Sequence, residues 1–224
     1  MKLGVLYSGG KDSTLALLKA KEHHKIVCLI SIVSQNKESF MFHTPNIDIT
    51  KLQAEAMKLP LISVQTKGEK EKELKDLQKA IESAKRKFKI EGIVAGAVRS
   101  TYQATRIQQI CQSLNLWCFN PLWLLDQVQL LNDIIKHKIH AVISGVFAEP
   151  LDKSYLGKLI DKAMIAKLAK AAQTHSINPA GEGGEIETTV LFAPGFKKKL
   201  VVKKSAITYA NYAGTYAMQE VVLQ

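Results

Sequence analysis

Cysteine is scarce in this chain: Cys28, Cys111 and Cys118 are the only three among 224 residues. No two of them form C-x-x-C, and no His/Cys spacing matches a zinc site, so neither a disulfide framework nor a structural metal is implied. Cys28 sits inside the apolar run "IVCLISIV" and Cys111 on an apolar helix face. Both read as small core residues. Long hydrophobic runs are missing too. None approaches a membrane span, and Met1-Lys2 leads into the first strand without a signal-peptide pattern, so a cytoplasmic protein with no membrane role is expected. Two familiar phosphate loops are also absent, G-x-x-x-x-G-K-[ST] and G-x-G-x-x-G.

What is present suits a folded enzyme-sized chain. An apolar fraction of 46% is normal for a globular protein. The net charge of +11 is partly the solvated face of a helix in "TKGEKEKELKDLQKAIESAKRKF", whose Leu74, Leu77, Ile81, Ala84 and Phe88 form the opposite, apolar face. The rest, including Lys197, Lys198 and Lys199, would attract a nucleic acid or an acidic protein, and charge alone does not choose between them.

Strand-like runs recur at Leu3–Tyr7, Ile26–Val33, Leu61–Gln65 and Glu91–Val98, with helical patterns between them. That alternation predicts an α/β fold: a parallel twisted sheet with helices on both faces. A further helix starts near "RSTYQATRIQQICQSL", with Ile107, Ile110, Cys111 and Leu114 inward and Tyr102, Arg106 and Gln109 on another face. After the proline break in "FNPLWLLDQ", the spacing of Leu124, Val128, Leu131 and Ile135 predicts a helix. A strand "HAVISGVFA", a helix around Leu156–Ala172 and short strands near Thr188–Phe192, Lys199–Val202 and Tyr216–Leu223 follow. The expected division lies near Asn120, giving a nucleotide-binding domain over 1–120 and a smaller α+β domain over 121–224.

The polar stretch "YSGGKDST" falls between the first strand and the first helix. Backbone N–H groups at a helix start lack partners, glycines let a ligand approach the backbone, and the helix dipole favours an anion. S-G-G-K-D-S resembles the loop of the N-type ATP pyrophosphatases, which split ATP into AMP and pyrophosphate. Ser8, Gly9, Gly10 and Ser13 can offer donors to the β and γ phosphates, and Lys11 can neutralise them. Asp12 would cap the helix or reach Mg2+.

A second motif, "NPAGEGGEIETTV", packs Glu182, Glu185 and Glu187 among Gly181, Gly183 and Gly184. Carboxylates this dense repel one another unless they bind a cation, share protons or stay solvated. With "SGGKDS", "GAVRSTYQATRIQQIC" and "PLWLLDQVQLL" before it, the whole resembles the diphthine–ammonia ligase family over nearly the full chain. "MFHTPN" at 41–46 and "LQAEAM" at 52–57 fit the same pattern. One departure stands out: Ala180 occupies the position before GEGGE where a cysteine is often found.

The resemblance implies an adenine nucleotide alpha hydrolase-like, Rossmann-like fold and ATP-dependent amidation of diphthine on elongation factor 2. ATP and Mg2+ are the implied cofactors, and the acceptor carboxylate would pass through an acyl-adenylate. Free ammonium is the expected nitrogen source, because no glutamine-hydrolysing domain or nucleophilic N-terminal cysteine is evident. Implied pyrophosphate ligands are Ser8, Gly9, Gly10, Lys11, Asp12 and Ser13. His43, Gly96 and Ala97 are candidates for the adenylate, and Tyr102, Gln103 and Arg106 for the α phosphate or substrate carboxylate. Glu182, Glu185 and Glu187 are the candidates for substrate, with Lys11, Asp12, Glu185 and Glu187 as the catalytic set. Glu185 and Glu187 would attract diphthine's quaternary ammonium or bind ammonium, and Tyr102 or Trp123 would supply an aromatic face. A related ligase for a small carboxylate, a tRNA-modifying enzyme with the same loop and a non-catalytic nucleotide sensor stay open. Nucleic acid is not required, and a homodimer is left open.

Overall fold

A computed structural model describes residues 1–34, 46–69 and 71–224. Five strands make the first sheet: β1 (Lys2–Leu6), β2 (Lys25–Ser34), β3 (Leu61–Thr66), β4 (Gly92–Val94) and β5 (Trp117–Phe119). All its pairings are parallel, in the order β3-β2-β1-β4-β5. The order reverses between β1 and β4, and ligands of such sheets bind at the carboxyl ends beside that reversal.

The expected helices on both faces are there, and alternation along the strands explains the division. Cys28, Ile30 and Ile32 point into an apolar cluster with Leu77, Ile81, Ile107 and Cys111. Those residues come from α3 (Glu73–Phe88) and α4 (Thr101–Ser113). Leu3, Val5 and Leu29 point the other way, into a cluster with α1 (Lys11–Lys21), α2 (Thr50–Met57) and α5 (Gln127–Lys136). Cys28 and Cys111 are buried core residues, and burial pushes the Cys28 thiol up to about 12.

The second sheet is antiparallel. It holds β6 (His140–Val146), β7 (Ile186–Phe192), β8 (Leu200–Ala210) and β9 (Ala213–Leu223), in the order β7-β6-β9-β8. Leu130, Ile134, Ile143, Ile165, Leu168 and Val190 join the same cluster as Leu3 and Leu15, so the second sheet and α6 (Lys162–His175) close over the first.

Three local expectations need correction. Helix α5 buries Gln127, Leu130, Leu131 and Ile134, while Leu124, at 64% exposure, lies before it. Asp126 is the cause: its Oδ1 accepts from the N–H groups of Val128 and Gln129 at 3.0 and 2.9 Å and starts the helix a turn later. Helix α6 likewise begins at Lys162 rather than near Leu156, because Asp161 caps it through the Met164 N–H at 2.8 Å. Strand β4 ends at Val94, four residues short of Val98, and its last turn of chain runs past the start of α1.

Candidate active site

The turn after β1 is built by its own side chains. Gly9 has φ +81, and a Cβ there would meet the Gln53 Oε1 at 2.5 Å, so only glycine fits. The Ser8 and Ser13 hydroxyls lie 3.2 Å apart, and Ser13 Oγ also accepts from the Ser8 N–H at 3.3 Å. Gly10 caps α1 in an extended conformation without a side-chain hydrogen bond. The first turn of α1 thus presents N–H groups that have no partner inside the helix. Lys11 is buried at 2% exposure, and its Nζ reaches Asp12 Oδ2 at 2.8 Å.

The turn is also stitched to the second sheet. The Lys11 N–H donates to Thr188 Oγ1 at 3.1 Å, and the Val190 N–H donates to the Gly9 carbonyl at 2.9 Å. Gln53 is fully buried in α2 and bridges both: its Nε2 donates to the Gly9 carbonyl at 3.0 Å and the Val190 carbonyl at 2.7 Å. Asn46 Nδ2 donates to the Tyr216 carbonyl at 3.0 Å, and its Oδ1 accepts from the Met218 N–H at 2.8 Å. These contacts set β7, which carries Glu187, beside the turn after β1.

A cleft of about 880 Å³ opens there. Its lining includes Ser8, Gly10, Lys11, Asp12 and Ser13 from the turn, Gly96 and Ala97 after β4, Gln103 of α4, and Glu182 and Glu187. The structure therefore gathers most of the sequence-predicted site residues around one space. Gly96 is there because it packs on the turn, a Cβ on it falling 2.9 Å from the Ser13 backbone nitrogen.

Two groups of candidates lie elsewhere. Tyr102 and Arg106 turn to Glu71: the Tyr102 hydroxyl and an Arg106 terminal nitrogen each donate to its Oε1 at 2.9 Å. The guanidinium stacks 4.5 Å from the Tyr102 ring centre, and neither residue lines the cleft. Glu185 is spent on its own loop, accepting from the Asn178 and Gly183 N–H groups at 2.8 Å each. Those two bonds order the glycine-rich segment. His43 lies outside the described residues.

The cleft's carboxylates are under electrostatic pressure. Burial, then the charge of Asp12, raises Glu182 above its ordinary range, although the Arg99 N–H donates to its Oε2 at 3.2 Å. Glu187 rises to about 7: burial dominates, Lys11 opposes it, and Asp12 and Glu182 add to it. Three carboxylates face one buried lysine, which leaves room for further positive charge.

The comparisons with known proteins decide the family. A family model described as "Diphthamide synthase N-terminal domain" matches residues 1–117, and one described as "Diphthamide synthase C-terminal domain" matches residues 126–223. The chain belongs to the diphthamide synthase family. Diphthine–ammonia ligases of Homo sapiens and Bos taurus are each 35% identical to it over 228 residues, spanning 92% of this chain and 85% of theirs. The Schizosaccharomyces pombe diphthine–ammonia ligase is 33% identical over 219 residues, spanning 90% of this chain and 36% of its own length. Among solved structures, a predicted subunit of a tRNA methyltransferase from Methanocaldococcus jannaschii overlaps with a TM-score of 0.43 at 16% identity, covering 87% of this chain and 98% of that one.

Sequence reasoning assigned no role to Gln53, Asn46, Thr188 or Phe147. The first three sit inside stretches that match the family pattern, "LQAEAM", "MFHTPN" and "GEGGEIETTV", so a signal existed without a mechanism attached. Phe147 carried none, as it is one aromatic after a buried strand.

Among the described residues no helix is long and apolar enough to cross a membrane, and no group of three His, Cys, Asp or Glu side chains is placed to hold a metal ion. Asp12 Oδ1 is nevertheless buried without a hydrogen-bond partner. One such oxygen fits Mg2+, which usually takes one or two carboxylates and completes its shell with phosphate and water.

Proposed function

We propose that this chain amidates diphthine on elongation factor 2 in the cytoplasm, using ATP and ammonium and releasing AMP and pyrophosphate. Residues 1–120 hold the nucleotide and residues 121–224 the acceptor. One observation carries the reading: the turn after β1 lines a single cleft with Glu182 and Glu187, and the Lys11 N–H of that turn is hydrogen-bonded to Thr188 on the strand that carries Glu187.

A carboxylate is a poor electrophile because oxide is a poor leaving group. Attack of the acceptor carboxylate on the α phosphorus forms an acyl-adenylate and expels pyrophosphate, and ammonia then displaces AMP at the acyl carbon. The turn's N–H groups, the Ser8 and Ser13 hydroxyls and Lys11 bind the departing pyrophosphate, where fixed donors are worth most. Asp12 Oδ1 would hold Mg2+, which would supply neutralisation of phosphate charge. Gly96 and Ala97 bring backbone, free of bulk, to the adenylate, and Gln103 faces the same space from α4. Glu182 and Glu187 place negative charge where a cationic acceptor arrives.

The direct test mixes the protein with ATP, magnesium, ammonium and diphthine-bearing elongation factor 2. AMP formation together with the acid-to-amide mass change on the factor is the expected result. Formation of ADP, or AMP without that mass change, overturns the reading.

A further inference from the structure

The register of the second sheet sets Glu187 of β7 and Thr215 of β9 on either side of Gly145 in β6. A glycine at the middle of that row leaves a gap. Phe147, two residues on and so on the same face, lays its ring over it. Ring atoms Cε2 and Cζ come within 2.6 and 2.9 Å of where a Gly145 Cβ would stand, and Glu187 Cβ within 3.2 Å. Any side chain at 145 would evict the ring.

The ring is fixed in place yet left open. Its backbone N–H donates to the Glu185 carbonyl at 2.9 Å, inside the braced glycine-rich loop. Its side chain remains 40% exposed and lines the cleft beside Glu182 and Glu187. Among the described residues the Glu187 carboxylate accepts no hydrogen bond; burial and the charges of Lys11, Asp12 and Glu182 act on it. An aromatic ring beside a carboxylate that no donor satisfies is the environment of a cation that has no N–H to offer.

We propose that Phe147, with Glu187 beside it and Glu182 lining the same cleft, forms the subsite for the quaternary ammonium of the acceptor. Gly145 is the position that makes room for it. The subsite rests on the reading that the acceptor is a quaternary-ammonium carboxylate, and it replaces Tyr102 as the aromatic face. The Tyr102 ring already carries the Arg106 guanidinium, and Trp123 does not line the cleft. A bare ring and charge do the recognising, so the subsite discriminates by permanent charge and not by hydrogen bonding.

Two measurements test this. Saturation-transfer NMR with tetramethylammonium, and with neutral tert-butanol of similar size as control, reads the subsite without any turnover. Transfer to tetramethylammonium alone is expected in the parent and in Phe147→Trp, with loss in Phe147→Leu, which keeps apolar bulk but no π face. The second measurement is the KM for diphthine-bearing elongation factor 2. It should rise about five- to thirty-fold in Phe147→Leu, the range of a desolvated cation–π contact, with the KM for ATP unmoved. Equal transfer in parent and Phe147→Leu, or an unchanged acceptor KM, refutes the subsite. A parent that binds tetramethylammonium through Phe147 but does not amidate diphthine leaves the subsite standing and sinks the proposed reaction instead.

Discussion

Gly96→Ala tests whether the end of β4 and the phosphate turn form one rigid unit. A Cβ at 96 would stand 2.9 Å from the Ser13 nitrogen, 3.0 Å from the Asp12 carbonyl carbon and 3.1 Å from the Ser13 Cα. All three are backbone atoms at the start of α1, so no side chain can swing aside. Reaching ordinary contact, 3.4 Å, requires the two segments to part by 3.4 − 2.9 = 0.5 Å. Overpacking of this kind costs about 1–3 kcal/mol. In a chain of this length that lowers the melting temperature by about 2–12 °C. On the proposed reading the same half-ångström moves the pyrophosphate donors relative to the adenylate contacts, and kcat/KM for ATP should fall about tenfold. Calorimetry reads the first effect, and pyrophosphate exchange into ATP with saturating acceptor reads the second. Gly184→Ala separates clash from backbone strain: Gly184 has φ +87 but nothing within 4 Å of its would-be Cβ, so it carries strain alone. If Gly96→Ala melts within about 1 °C of the parent, the close approach does not constrain the turn and the reasoning fails.

Three further outcomes are expected. Gln53→Leu removes both hydrogen bonds from Nε2 at nearly constant volume; at about 1 kcal/mol each, the melting temperature should drop about 4–8 °C, and an unchanged melt would deny the bridge its role. Glu187 has a raised pKa, so the folded protein binds a proton that the unfolded chain has released between the ordinary glutamate range and about 7. Its contribution to stability therefore falls as pH rises through that window, and Glu187→Gln, free of nucleotide and magnesium, should gain about 1–3 kcal/mol on the parent between pH 5 and 8 in urea titrations. A constant difference across that range would contradict the shift. Glu71→Ala breaks an exposed cluster with Tyr102 and Arg106, so stability should change by less than about 1 kcal/mol and AMP formation by less than about twofold. A hundredfold loss, measured by the same AMP assay, would bring that cluster into the chemistry.

Four strands of the first sheet were legible in the sequence, because β1, β2 and β4 are largely buried and amphipathic helices of ordinary length separate the runs; β5, three partly exposed residues, carried no such run. Period and composition agree there, as in α3, where Leu77, Ile81 and Ala84 are buried as their spacing demands. The failures fall where a cap outweighs a hydrophobic pattern. Asp126 and Asp161 set where α5 and α6 begin, and a stripe drawn from Leu124 therefore starts one turn early. Strand β8 runs from Leu200 to Ala210, well past the apolar run that announced it, because its burial is confined to one end and the rest is solvated. At the site, motif residues were visible but their partners were not. Nothing in "TYQATR" shows that Tyr102 and Arg106 meet Glu71, 31 and 35 residues away. Glu185 and Glu187 look interchangeable in sequence; only the loop's path gives one of them to the backbone and leaves the other in the cleft.

Thr188 and Val190 belong to the strand that carries Glu187, yet they complete the hydrogen bonding of Lys11 and Gly9. The amino-terminal half cannot therefore be exchanged as a module. A chimera joining this amino-terminal half to another acceptor half would need a hydroxyl and a main-chain N–H in the same register, or its grip on triphosphate would loosen before any new acceptor were met. On the proposed reading, selectivity for the acceptor and grip on the nucleotide are inherited together, through one strand.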